Sequence, residues 1–175
     1  MSGSLILWMT LALSIFWGVG LYNRLMRMRA RGLGALGSVE KHVRQYAELV
    51  HEHGLDSHLD GPSGRWAQLQ ADLQALDQAL KDARAVPLAA EPLVRLGATL
   101  DAVQDTWRQL HETPADLAGP VVPAAMQTRW DAITLRVESA RSGFNQILTK
   151  YNEALDQYPA RLVVSLMGFK PGGLL

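Results

Sequence analysis

Cysteine does not occur in the 175-residue chain. Its absence excludes a disulfide framework, a thiolate nucleophile, a thiolate metal site and lipid attachment at cysteine, and it fits a reducing compartment. Net charge is missing as well: 17 Lys and Arg balance 17 Asp and Glu. No global field steers such a chain toward nucleic acid or another polyanion. No useful length of sequence alternates apolar and polar residues, so a strand signal is lacking. Catalytic signatures are lacking too, with no Gly-rich phosphate loop after a strand, no nucleophile elbow and no HExxH. From these absences neither an enzyme nor a cofactor is expected.

Charge is also missing locally, and here the absence is informative. The first 23 residues carry no charged side chain, and Leu5 to Tyr22 (LILWMTLALSIFWGVGLY) forms a run of 18. At 1.5 Å of helical rise per residue, that run just spans a hydrocarbon core of about 30 Å. Trp8, Trp17 and Tyr22 are amphipathic rings, the last standing where charge begins. Arg24, Arg27, Arg29 and Arg31 then follow within eight residues, with no acid among them. The positive-inside rule puts this cluster and all that follows in the cytoplasm, with the amino terminus outside. Anionic lipid headgroups would supply the counter-charge.

Two other readings of the segment compete. Gly18-Val19-Gly20 is a small-x-small triplet of the signal-peptide kind, but no positive n-region precedes the apolar run. A buried core helix would show a polar stripe, and this segment has no charge on any face. A membrane anchor over residues 1–23 is the expectation.

Beyond it, heptad spacing recurs four times. Leu36, Val39, Val43, Tyr46 and Val50 mark a first helix, broken at Gly54 and Gly61-Pro62. Trp66, Leu69, Leu73, Leu76, Leu80 and Ala83 mark a second, ending at Val86-Pro87. Leu93, Leu96, Leu100, Val103, Trp107 and Leu110 mark a third, stopping near Pro114. The fourth starts around Pro123 and carries Met126, Trp130, Ile133, Val137, Ala140 and Phe144. It continues through Ile147, Tyr151, Ala154 and Tyr158 to Pro159.

Four amphipathic helices with short Pro- and Gly-marked connections read as an all-α, antiparallel four-helix bundle over residues 24–159, its first helix continuous with the anchor. Two helices are long and two short, so the short pair cannot cover the long pair. Because the chain leaves the membrane on the first helix and turns back at its far end, the short pair should pack there. The membrane-proximal stem should be left uncovered.

At the stem the sequence resembles the LemA family of bacterial membrane proteins. Tyr22-Asn23-Arg24-Leu25-Met26-Arg27-Met28-Arg29 looks like that family's post-membrane signature. Phe144-Asn145, Tyr151-Asn152, Tyr158-Pro159 and Gly168-Phe169 follow its later signature in order and spacing. The middle of the first helix departs from it: Ala35-Leu36-Gly37-Ser38-Val39 and Ala47-Glu48-Leu49-Val50-His51 stand where the family carries a Trp and a polar, proline-containing stretch. The resemblance implies a bacterial inner or internal membrane, an outside amino terminus, a helical bundle and no established enzymatic activity.

Four features are candidates for function. Ala30, Gly34 and Ser38 recur every four residues beside Gly32 and Gly37. Each helical Gly costs roughly 1 kcal/mol against Ala, so this cluster reads as a face for self-association or a membrane-protein partner, or as close packing against the fourth helix, or as a hinge. Tyr22 and Asn23 adjoin that face. Next, Phe144, Tyr151 and Tyr158 share one face of the fourth helix and Asn145 and Asn152 another, where Asn can fix register across a seam or meet a partner.

The third feature is the apolar segment Leu162 to Phe169, within a C-terminal portion spanning residues 160–175. It is read as capping the open end of the bundle or docking among headgroups, with Lys170 and the Gly-rich end disordered. The fourth, His51, Glu52, His53, Asp56 and His58, has ligand types but not ligand geometry, and no metal site is expected there.

The chain therefore reads as a membrane-anchored, non-enzymatic scaffold or adaptor that forms homo-oligomers or binds a membrane protein, with no nucleic-acid role. A membrane-shaping protein assembling side by side, as in membrane organelle biogenesis, and a small-ligand sensor remain the alternatives.

Overall fold

A computed structural model describes residues 2–56, 64–112, 122–157, 161, 164 and 167–175, excluding the side chains of 2 and 53–56. Four helices are described end to end: α1 (Ser2–Asp56), α2 (Gly64–Ala85), α3 (Ala90–His111) and α4 (Ala124–Asp156). Among the described residues there is no strand.

α1 runs unbroken for 55 residues, about 80 Å at helical rise. Nothing in its sequence stops it: the glycines at 32, 34 and 37 are absorbed without a break. α4 has 33 residues, whereas α2 and α3 have 22 each. α1 packs along α4, and α2 along α3. The expected division into two long and two short helices is therefore what the chain adopts.

Side chains on the heptad positions form one core. Val39, Val43, Tyr46, Leu69, Leu76, Leu96, Val103, Trp130 and Val137 are all buried. At the distal end Trp107 of α3 stacks on Trp130 of α4, with centroids 3.9 Å apart and planes 6° from parallel. Tyr46 of α1 tilts against the same indole at 4.3 Å. Its hydroxyl shares a 2.9 Å hydrogen bond with Thr134. Burial raises the Tyr46 phenol above its ordinary pKa, an effect that the hydrogen bonds with Thr134 and Gln104 partly oppose.

Polar ties fix the height at which the short hairpin sits. Arg84, at the end of α2, donates from Nε to Glu40 of α1 at 2.7 Å. Arg141 of α4 reaches Asp101 of α3 at 2.6 Å. Gln104 donates to Glu138 at 2.9 Å. α2 ends where Pro87 cannot continue the helix. The chain then turns through Leu88, the one described non-Gly residue with a left-handed backbone (φ 65°). That conformation puts the Leu88 side chain against Gly32 of α1, where an added Cβ would lie 3.4 Å from Leu88 Cδ1. Gly32 thus explains itself: it admits Leu88 and Leu148.

The hairpin covers α1 only outward from that contact, leaving a proximal stem of α1 and the last turns of α4. The short helices leave this stem uncovered, as expected, but it is not bare, in keeping with the reading of the C-terminal segment as a cap. Leu25 is 0% exposed and Leu155 6%, and the cover is supplied by the C-terminal residues. Val164, Phe169 and Leu175 pack against the core. Gly172 and Gly173 are themselves buried. The Gly-rich end is ordered rather than disordered, for reasons that lie in the stem itself.

Candidate functional site: the stem and its C-terminal seat

The lower half of α1 exposes its apolar surface. No residue of its most hydropathic 18-residue window is buried, and that window has mean hydropathy 1.9. Phe16 is 79% exposed, and Leu5, Ile6, Leu7 and Trp8 are each near two-thirds exposed. A core helix would have these side chains inside, so that alternative fails for this domain. Arg24, Arg27, Arg29 and Arg31 are exposed, and among the described residues none of the four forms an ion pair with an acid.

Above the arginines, α4 and the C-terminal residues form an interlocked pair. Asn152 donates from Nδ2 to the carbonyl of Gly172 at 2.9 Å and accepts from the same glycine's N–H at 2.8 Å. Asn145 repeats the arrangement on Leu175, donating at 2.9 Å and accepting at 2.9 Å. Each carboxamide closes a ring with one residue's two main-chain groups, as a neighbouring β-strand would. The spacing makes the repeat possible. Seven residues of helix rise about 10.5 Å, and three residues of extended chain cover about 10 Å. The tail therefore runs antiparallel to α4 with matching teeth.

Further bonds complete the seat. The Tyr151 hydroxyl donates to the carbonyl of Lys170 at 3.4 Å. The N–H of Gly173 donates to the carbonyl of Leu88 at 3.2 Å. Burial raises the Tyr151 phenol above its ordinary pKa, and the Arg29 charge works against that shift. Toward the amino-terminal end of α1, the ring of Phe169 meets Tyr22 edge-on at 5.9 Å.

Glycines make the approach close enough. A Cβ on Gly172 would collide with Leu148 Cδ1, and one on Gly173 would stand 2.6 Å from Ala90 Cα and 2.9 Å from its carbonyl oxygen. Across the groove, a Cβ on Gly97 would be 3.1 Å from the Leu175 carbonyl carbon. Only a Gly-Gly pair slides between α4 and the start of α3 in this way. Beyond Leu175 the outer face of α4 opens into a groove of about 640 Å³, bordered by Arg141, Gln146 and Lys150. It is a surface feature, not a chamber inside the bundle.

The structure gathers Asn145, Tyr151 and Asn152 at the tail and Tyr22 at Phe169. The two Asn hold an extended segment rather than fixing a helix register across a seam. Asn23 is exposed, and Tyr158 lies outside the described residues. The small-residue face points elsewhere. Ala30, Gly34 and Ser38 are exposed, and a Cβ on Gly34 would meet nothing within 4 Å. That excludes close packing against α4 as its reason. In α4 the seam uses Leu148, fully buried, where Ile147 was expected; Ile147 is half-buried. Of the His and acid cluster, Glu52 pairs with Arg129 at 2.7 Å and His51 is exposed, while His53, Asp56 and His58 fall outside the described side chains. Gly32, Leu88, Gly97 and the Gly172-Gly173 pair were not anticipated as parts of a site, because their contribution is shape and main chain.

No family model matches the chain, and no curated protein or solved structure is significantly similar to it.

Proposed function

We propose that the protein is a single-pass, membrane-anchored helical scaffold without catalytic chemistry of its own. It holds a cytoplasmic four-helix bundle at the bilayer and binds itself or another membrane protein through its proximal stem. The amino terminus lies outside, and Arg24, Arg27, Arg29 and Arg31 face anionic headgroups.

One observation carries this reading: the apolar half of α1 is exposed and runs without a break into the bundle. Eleven large apolar side chains from Leu5 to Val19 are uncovered. Leaving them in water costs roughly 10–20 kcal/mol, as much as the whole stability of a typical domain, about 5–15 kcal/mol. Lipid removes that cost. A cleaved signal peptide fits less well, because the helix continues directly into Leu21 and Leu25, which belong to the packed bundle. The likeness of the Tyr22-Asn23 and Tyr151-Asn152 segments to LemA signatures supports the same assignment.

Self-association is supported by the outward small-residue face of Ala30, Gly34 and Ser38, since small residues let a second helix approach closely. The chain has no cysteine, so Gly34→Cys gives a clean test. Oxidation in native membranes is expected to yield a disulfide-linked dimer through position 34. A chain that stays monomeric under those conditions, and runs as a monomer in mild detergent, contradicts self-association by this face.

A further inference from the structure

We propose that the turn from Met167 to Lys170 is a second bilayer contact: its outer side lies among anionic phospholipid headgroups while its inner side caps the stem. The inference rests on the anchor reading of α1 and deepens it, adding a point of attachment on the C-terminal side of the bundle.

The turn sorts its side chains. Gly168 has a left-handed backbone (φ 70°), and the N–H of Phe169 donates to the carbonyl of Val164 at 3.3 Å. A left-handed glycine followed by that bond is a Schellman cap, which ends a helical turn and redirects the chain. Val164 and Phe169, the pair that such a cap brings together, pack against the core. Met167 is left 47% exposed, and Gly168 and Lys170 are exposed with it. Capping uses the inner pair alone, so it gives no reason for a large apolar side chain on the outside.

Height supplies the reason, since a single exposed methionine is ordinary on a protein surface. Gly32 admits Leu148, which sets α1 and α4 level at that point. One heptad nearer the start of α1, Leu25 and Leu155 are both buried. Phe169 reaches farther still, to Tyr22. Tyr22 closes the uncharged run and Arg24 opens the basic one, a rise of about 3 Å. With α1 in a bilayer, the interfacial layer is about 5–7 Å deep on each side of the hydrocarbon, so a turn touching Tyr22 stands within it.

Charge gives the lipid class. From residue 157 to residue 175 the chain has Arg161 and Lys170 and no acid. Both are exposed, as are Arg24 and Arg27 on α1. Lys170 joins the C-terminal seat through its carbonyl, bonded by Tyr151, which leaves the ammonium for an anionic surface. An apolar side chain beside a cation is the pairing that an interfacial segment uses, the first entering the acyl boundary and the second meeting phosphate.

The chain has no cysteine, so Met167→Cys takes a nitrobenzoxadiazole label at one place. The full-length protein is reconstituted in vesicles of equal parts phosphatidylcholine and phosphatidylglycerol, with nitroxide lipids spin-labelled near the headgroup. Emission from position 167 is expected to fall at least twofold, as it should from a label at Leu11 in the anchor. A label at Leu135, 74% exposed and far up α4, should keep its intensity. Quenching at 11 without quenching at 167 overturns the second contact and leaves the anchor standing; no quenching at 11 overturns both.

In vesicles of phosphatidylcholine alone, quenching at 167 should weaken at least twofold while that at 11 persists. Equal quenching at 167 in the two vesicles overturns the assignment to anionic lipid. Should Met167→Cys fail to fold, a label at Lys170→Cys gives the same reading of the contact, because Lys170 enters the seat by its main chain.

Discussion

Asn152 holds Gly172 by both of its main-chain groups, through hydrogen bonds of 2.9 and 2.8 Å. Each neutral hydrogen bond contributes about 0.5–1.5 kcal/mol net, so Asn152→Ala should cost about 1–3 kcal/mol of tail docking. Asn145→Ala should cost the same on the Leu175 side. Hydrogen exchange reads this directly: the N–H of Gly172 and Leu175 should lose protection in the respective variants, while core amides such as Val103 keep theirs. Unchanged protection at 172 and 175 would show that the tail is held by something else.

Four glycines near the stem should respond differently to alanine. Gly34 has open space, so Gly34→Ala should stabilise the helix by up to about 1 kcal/mol. Gly32→Ala brings a Cβ to 3.2 Å from Leu148 Cδ2, which a small shift of that side chain relieves, and should be near neutral. Gly172→Ala meets the end of the same flexible leucine, whereas Gly173→Ala meets Ala90 backbone at 2.6 Å. The expected order of thermal stability is Gly34→Ala, Gly32→Ala, Gly172→Ala, then Gly173→Ala as the least stable. Equal effects of Gly34→Ala and Gly173→Ala on melting would contradict the packing described.

Glu40 is a buried carboxylate, its side chain 7% exposed, gripped by Arg84 and by Arg44 at 2.8 Å. Because Arg44 remains, Arg84→Ala should cost about 1–2 kcal/mol rather than the 3–5 kcal/mol of a fully stranded charge. In a Glu40→Gln background the same substitution should cost much less. A double-mutant cycle by chemical denaturation measures the difference, and a coupling near zero would refute the tie between α1 and α2.

Tyr46 gives the bundle an alkaline limit. Its phenol titrates higher in the folded chain than its ordinary 10.0 because burial disfavours the phenolate. Above pH 10 the unfolded chain therefore binds fewer protons than the folded one, and stability falls as pH rises. Below pH 10 both states are protonated and the contribution is intact. Tyr46→Phe should flatten the decline that sets in above pH 10; an equally steep decline in that variant would assign it elsewhere.

Hydropathy sees side chains, and that decided what was legible in the sequence. Val39, Val43, Tyr46, Trp107 and Trp130 fell on the core face at heptad spacing, and helix lengths together with connectivity put the hairpin at the distal end. The turn at Val86-Pro87 followed from proline chemistry. Position 147 failed because a rhythm of three or four after Phe144 fits both Ile147 and Leu148; Leu148 prevails since Gly32 and Gly172 leave room for it. The ordered tail could not be read from Gly172-Gly173, since its bonds are main-chain and its fit is the absence of side chains. The Asn pair was visible as a repeat, but its partner was not, because matching seven helical residues to three extended ones requires knowing that the tail is extended.

Everything proposed for the stem presumes that the foot of α1 sits in lipid. Alkaline carbonate extraction of membranes from cells expressing the full chain, with a tag after Leu175, tests this most directly. The chain is expected to stay with the membrane pellet at full length and to be released by detergent alone. Full-length, uncleaved protein in the carbonate supernatant would contradict the anchor.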